Sequence, residues 1–158
     1  MKKIIIILAL FFIDRFTKIY LINLESSGTT IDFYIFPFLN FYLVWNTGIG
    51  FGLFEIESNI YYHILTTIIV FVNIILIFLL IKYKDIYGYL IAIVIGGSLG
   101  NLFDRIYYNA VPDFMDLNYK GFHWFIFNVA DIFITLGIIC LILAEIINYK
   151  KKINEKKY

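Results

Sequence analysis

Residues 60–81 read IYYHILTTIIVFVNIILIFLLI, a run of 22 without one Asp, Glu, Lys or Arg. A bilayer core about 30 Å thick takes about 20 helical residues at roughly 1.5 Å each, so this stretch has the length and polarity of a membrane span. Working outward, Ile86–Phe103 is a second uncharged run, with Gly96, Gly97 and Gly100 in its later half. Phe125–Ile147 is a third, interrupted by Asp131 and Glu145, and Ile4–Leu24 is apolar except for Asp14, Arg15 and Lys18. The whole chain has the same character. Of its 158 residues 61% are hydrophobic and 16% charged, against roughly 45–50% and 25% in ordinary soluble domains. Mean hydropathy is +0.84. A chain of this size folded in water has too little interior to hide so much apolar surface. A soluble enzyme, a disordered chain and a collagen-like repeat are all excluded.

The fold class that follows is an all-α integral membrane protein. It has four transmembrane helices near 4–24, 60–81, 86–103 and 125–147, and a small β-rich segment outside the membrane. Residues 1–158 form a single domain, with outer loops at 25–59 and 104–124 and no internal repeat. The start, MKK followed by IIIILALFFI, has the form of a secretory signal, but Asp14-Arg15-Phe16-Thr17-Lys18 comes where a small-residue cleavage site belongs. An uncleaved first span is expected.

Basic residues set the orientation. Lys2 and Lys3 precede the first span, Lys82 and Lys84 separate the second from the third, and Lys150, Lys151, Lys152, Lys156 and Lys157 follow the fourth. The positive-inside rule puts that side in the cytoplasm. The opposite loops hold only Arg105 and Lys120, and four spans return both termini to the cytoplasmic side. Residues 31–45 (IDFYIFPFLNFYLVW) are aromatic and β-branched types that favour strands. Both faces of this segment are apolar, so it is read either as strand or as a segment lying on the membrane. A net charge of +1 gives no field for nucleic acid. The single cysteine, Cys140, permits no internal disulfide and reads as a small buried hydrophobe.

A charge inside the bilayer costs at least about 2.5–3.5 kcal/mol, which makes each one a functional candidate by default. Asp131 is six residues past Phe125, a depth of roughly 9 Å along a helix that starts there. On the same outer side are Asn101, Asp104 and Arg105, then Asp113 and Asp116. Two carboxyls at one level are what an aspartic peptidase needs. Held close, they cannot both ionise, so they share one proton; the ionised member takes a proton from water while the other polarises the scissile carbonyl. Such a pair titrates as a unit. Spacing alone does not select the pair from Asp104, Asp113, Asp116 and Asp131, and Asp116 reads equally well as solvated. Asp14 and Lys18, at i,i+4, read as a buried self-neutralising pair that orients helix packing. Glu145 is placed to snorkel to the cytoplasmic interface.

Gly96-Gly97-Ser98-Leu99-Gly100 satisfies G-x-S-x-G, yet that motif requires a strand–turn–helix setting. In a membrane helix, Gly96 and Gly100 make a small-xxx-small face for close helix approach. A serine peptidase using Ser98 and His63 is the alternative enzyme. A small non-enzymatic transport or assembly protein, with Asp14, Lys18 and Asp131 as a relay, is the alternative outside catalysis; the uncharged second span speaks against it. His63 and His123 are not at metal-ligand spacing, so no metal is expected.

Four blocks resemble the lipoprotein signal peptidase (signal peptidase II) family. Asp14-Arg15-Phe16-Thr17-Lys18 is similar to its D-x-x-T-K block, and Asn46-Thr47-Gly48-Ile49-Gly50-Phe51-Gly52 to N-x-G-x-x-F. Gly96 through Arg105 is similar to G-G-x-x-G-N-x-x-D-R. Val111-Pro112-Asp113-Phe114 and Phe127-Asn128-Val129-Ala130-Asp131 are similar to the V-x-D-F and F-N-x-A-D pair. The likeness runs from about Asp14 to Gly137. Gly50 stands where the family usually has a small residue such as Ala. Pro112 precedes the Asp of V-x-D-F, which disfavours a helix through that point.

The resemblance implies a catalytic pair of Asp113 and Asp131 and a substrate site lined by Asn46, Gly48, Asn101, Arg105 and Asn128. It implies structural support from Asp14, Lys18 and Asp104. It further implies an aspartic endopeptidase of the bacterial cytoplasmic membrane that cuts prolipoproteins just before a diacylglyceryl-modified cysteine. Water is the nucleophile, so no cofactor is expected, and the expected partners are that substrate and membrane lipids, with the enzyme acting as a monomer.

Overall fold

The computed structural model describes residues 1–48 and 59–155. Chain order is helix α1 (Lys2–Ser26), strands β1 (Asp32–Phe36) and β2 (Leu39–Asn46), helices α2 (Asn59–Lys82) and α3 (Ile86–Tyr108), strands β3 (Val111–Tyr119) and β4 (Phe122–Phe127), and helix α4 (Val129–Glu155). Three helices, Ile60–Lys82, Ile86–Tyr108 and Val129–Glu155, are long and apolar enough to cross a membrane. The fourth, α1, is 25 residues long and buries the charged residues Asp14, Arg15 and Lys18.

Helix α3 is the centre of the bundle, packing on α1, α2 and α4. Small residues allow this. A Cβ on Gly96 would lie 2.9 Å from Leu10 Cβ of α1, and one on Gly97 would lie 2.5 Å from the Ala130 carbonyl oxygen of α4. Gly137 of α4 answers with a 2.5 Å approach to Val94. These are the close backbone contacts that hold helices together where lipid offers no hydrophobic driving force. At the end of the bundle where α1 begins, Lys3 Nζ donates to the carbonyls of Leu80, at 3.4 Å, and Tyr83, so α1 caps the end of α2. Asp85 caps α3, accepting from Tyr87 N at 3.2 Å, and Asn109 ends it in the left-handed conformation at φ 56°.

The four strands form one antiparallel sheet in chain order. The stretch 31–45, read from its aromatic and β-branched content, supplies β1 and nearly all of β2, with a turn at Pro37-Phe38 between them. The β3–β4 connection is Lys120-Gly121, with φ 50° and 79°, the two positive angles of a tight hairpin turn. Leu21 of α1, Ile31, Leu43 of β2 and Phe114 of β3 form the apolar core under the sheet. Tyr34, Phe36, Phe38, Trp45, Phe122 and Trp124 are exposed around it, an aromatic rim suited to the bilayer interface.

Several boundaries differ from the sequence reading. Residues 104–124 are not a loop: α3 continues to Tyr108, carrying Asp104 and Arg105, and β3 and β4 fill the rest. Phe125–Phe127 belong to β4, so α4 begins at Val129 and Asp131 is in its first turn rather than two turns down. Hydropathy could not separate the apolar strand from the apolar helix that follows. Cys140 is exposed on the helix surface, not buried, because a lipid-facing position is as apolar as a core one. Lys156 and Lys157, like Ile49–Gly52, lie outside the described residues.

The α3–α4 contact yields a stability test. Gly97→Ala is expected to lower unfolding stability by about 1–3 kcal/mol, because the added methyl meets backbone that cannot rotate away. A thermal melt of the purified protein in micelles measures it.

Candidate active site

Residues Phe127-Asn128-Val129-Ala130-Asp131 carry the chain from β4 into α4, and the turn is held by a reciprocal cap. Asn128 Oδ1 accepts from Asp131 N at 3.1 Å, and Asp131 Oδ2 accepts from Asn128 N at 3.1 Å. This is the capping-box geometry, with Asn at the cap and Asp three residues on. It fixes the Asp131 side chain at the positive end of the helix. A second carboxylate completes the terminus: Ala130 N donates to Asp14 Oδ1 of α1 at 2.9 Å.

Asp113 arrives from β3, the strand beside β4. Pro112 pairs with Trp45 across β2–β3, and the extended backbone that Pro favours carries straight into Asp113. Asp113 is buried at 1% exposure, and Asp131 at 7%. The Asn128 amide joins them: its Nδ2 donates to Asp113 Oδ1 at 2.6 Å, while its Oδ1 is the acceptor for Asp131 N.

Two more asparagines complete the set. Asn46 Nδ2 donates to Asp113 Oδ2 at 2.7 Å, and Asn46 Oδ1 accepts from Gly48 N at 2.8 Å, an Asx turn. Asn101 Nδ2 donates to Asp131 Oδ1 at 2.8 Å, and its Oδ1 accepts from Lys18 Nζ at 2.8 Å. Each asparagine has its carbonyl held by a group that can only donate, so each must turn its NH2 to a carboxylate. Three of the four carboxylate oxygens of Asp113 and Asp131 receive such a side-chain hydrogen bond, and the fourth, Asp131 Oδ2, accepts from the Asn128 backbone N–H.

Beneath this layer Lys18, with no exposure, also contacts Asp14 Oδ2 at 2.8 Å and Asp104 Oδ2 at 2.7 Å. Arg15 pairs with the same Asp104 and stacks over Phe103. Sequence reasoning gave Arg15 no partner. The signal was there in the expense of any unpaired cation in a span. Arg105 Nη2 donates to the Gly48 carbonyl. Tyr62 of α2 donates its hydroxyl to the Arg105 carbonyl at 3.0 Å. Among the described residues, Arg105 Nε and Nη1 are buried without a hydrogen-bond acceptor.

Of the sequence candidates, the structure gathers Asp113, Asp131, Asn46, Gly48, Asn101, Asn128, Asp14, Lys18, Asp104 and Arg105 at one level. It does not gather Ser98 and His63. Ser98 Oγ accepts from Asn73 Nδ2 at 2.8 Å, and His63 is exposed on α2. Asp116 is not solvated: it is buried, and its Oδ2 is 2.7 Å from His123 Nδ1. The strand pattern turns Asp116 inward beneath the sheet, which alternation could show only once β3 was known.

Asp113 is the site carboxyl outside the membrane-spanning helices, and it is pushed up to about 7. Burial is the main cause and the neighbouring Asp131 charge the second, against the hydrogen bonds of Asn46 and Asn128. The site therefore keeps a proton under conditions where an ordinary carboxyl has lost it, which is the requirement for a proton-sharing pair.

Residues 6–147 match the protein family described as Signal peptidase (SPase) II. The chain is 51% identical over 154 residues to the lipoprotein signal peptidase of Pelagibacter ubique, covering 98% of this chain and 93% of the relative. It is 37% identical to that of Wigglesworthia glossinidia brevipalpis, covering 96% and 95%. A solved bacterial membrane enzyme superposes with a TM-score of 0.73 at 27% identity, covering 96% of this chain and 91% of that one.

The raised Asp113 carries a signed pH dependence. Its unfolded value is about 3.9, so the stability it contributes is whole below that pH and is lost as pH rises through about 7. Asn46→Leu, which removes a hydrogen bond to the ionised form, is expected to move the Asp113 midpoint upward. Asp131→Asn is expected to move it downward. Titration of the protonated-carboxyl infrared band reads both.

Proposed function

The chain belongs to the signal peptidase II family of membrane aspartic peptidases, and from that premise we propose that it removes signal peptides from prolipoproteins, cutting just before a diacylglyceryl-modified cysteine. Asp113 and Asp131 are the catalytic pair. The observation that carries this reading is Asn128, whose one side chain bonds Asp113 and the Asp131 backbone N–H while its own N–H bonds the Asp131 carboxylate.

The proton economy is self-contained. The ionised carboxylate takes a proton from a water whose oxygen attacks the scissile carbonyl carbon, and the protonated carboxyl gives its proton to the carbonyl oxygen. When the tetrahedral species collapses, the C–N bond breaks, a proton passes to the leaving nitrogen, and the pair again holds one proton. No cofactor enters this scheme. Asn46, Gly48, Asn101, Arg105 and Asn128 make the substrate-binding wall. Arg105 Nε and Nη1, without an acceptor among the described residues, are donors suited to substrate carbonyls, since a buried guanidinium donor left unpaired is costly.

The location supports the same reading. The lysines at the start of α1, between α2 and α3, and at the end of α4 lie on one side of the bundle, and the two strand-bearing connections lie on the other. This multi-pass chain sits in the bacterial cytoplasmic membrane with both termini inside and the dyad near the outer face. A signal helix and its acyl chains then meet the site without leaving lipid, and the exposed aromatics of the sheet anchor at that level. All named groups come from one chain, and a monomer suffices.

With a diacylated lipobox peptide and purified protein, Asp113→Asn and Asp131→Asn are each expected to lose at least about a thousandfold in kcat while melting like the parent. Ser98→Ala is expected to keep most activity. A dead Ser98→Ala beside an active Asp113→Asn would replace this mechanism with a serine one.

A further inference from the structure

Two carboxyls that share one proton need an asymmetry to say which of them holds it. The surroundings of the two differ. Asp131 is the third residue of α4, inside the field of the helix N-terminus, and one of its oxygens accepts a backbone N–H. Asp113 lies on a strand, which has no such dipole, and both its oxygens meet side-chain amides.

The further asymmetry is Lys18. An ammonium has three protons and no lone pair. Here it donates to Asp104 Oδ2 and Asn101 Oδ1 and forms an ion pair with Asp14 Oδ2 at 2.8 Å. Asp14 and Asp104 are served by two cations, Lys18 and Arg15, so the four charges cancel and Asn101 accepts an ammonium proton without adding charge. Because Lys18 can only donate, Asn101 cannot rotate its amide by a half-turn. Its NH2 is fixed on Asp131 Oδ1, where it favours an ionised acceptor. Without the ammonium, the reversed amide would offer its carbonyl oxygen to Asp131 and favour the protonated acid.

Resting on Asp113 and Asp131 as the reacting pair, we propose that Lys18 is a positioning residue of the reaction: through Asn101 it holds Asp131 as the ionised carboxylate that takes the proton from water, and so leaves the shared proton on Asp113. The buried charged groups on the elements packed around Asp131 are Asp14, Arg15 and Lys18 of α1, Asp104 and Arg105 of α3, and Asp113 and Asp116 of β3.

The test uses full-length protein in nanodiscs with a diacylated lipobox peptide. Lys18→Met is expected to lower kcat at neutral pH about 100-fold with KM within about threefold, and to shift the optimum to higher pH, where the base is again ionised. Asn101→Leu leaves the Lys18 ion pairs in place and is expected to show the same raised optimum, so it decides the matter if Lys18→Met does not fold. In the unsubstituted protein the protonated-carboxyl infrared band is expected to vanish with Asp113→Asn. In the Lys18→Met background a band is expected to survive that change. A folded Asn101→Leu with unaltered kcat and optimum overturns the proposal, and so does a band that persists in Asp113→Asn alone. Cleavage by Asp113→Asn or Asp131→Asn would instead remove the catalytic pair on which it rests.

Discussion

A buried ammonium can give three hydrogen bonds and accept none, and the rest of this structure is arranged around that fact. Lys18 draws Asp14 from its own helix and Asp104 and Asn101 from α3, which ties α1 to the centre of the bundle. Asp14 then reaches α4 through the Ala130 N–H. Three helices thus meet through one cation and its acceptors. Removing one partner of such a pair costs about 3–5 kcal/mol, because the other charge stays buried and unpaired. Lipid makes that penalty hard to escape, and the geometry is correspondingly rigid.

Polar rigidity of this kind depends on close packing. Gly100 lies where a Cβ would come within 2.5 Å of Asp14 Oδ2, and Gly97 where one would come within 2.5 Å of the Ala130 carbonyl. The glycines of α3 are therefore part of the polar architecture, since they let the carboxylate of α1 and the first turn of α4 come within hydrogen-bond reach. The sheet supplies what helices cannot. An extended strand delivers Asp113 beside a helix terminus that holds Asp131. The three asparagines between them have amides oriented by donor-only partners: an ammonium, the Asp131 N–H and the Gly48 N–H.

Much of this was legible in the residues. Runs without charge located the helices. The expense of charge in lipid singled out Asp14, Lys18 and Asp131, and the four blocks named the family. Boundaries were less legible where one apolar element follows another. Phe122–Phe127 and the start of α4 are equally hydrophobic, so the end of β4 and the shallow position of Asp131 could not be separated by hydropathy. Exposure was misread at Cys140 and Asp116 for a related reason. In a membrane protein apolar surroundings occur both inside and outside the bundle, and a carboxyl in a connecting segment can be turned beneath a sheet.

The amino-acid order by itself determined that this chain lives in a membrane, where its long apolar runs lie and which few polar residues bear the cost of being there. Those are one-dimensional properties, set by transfer free energy per residue and by charge along the chain. Which carboxyls face one another was decided only by the folded arrangement. Asp113 and Asp131 are 18 positions apart on a strand and a helix, and Lys18 reaches their neighbour Asn101 across 83. Such meetings depend on helix packing distance, strand register and the one-way donor character of an ammonium, none of which sequence spacing can express.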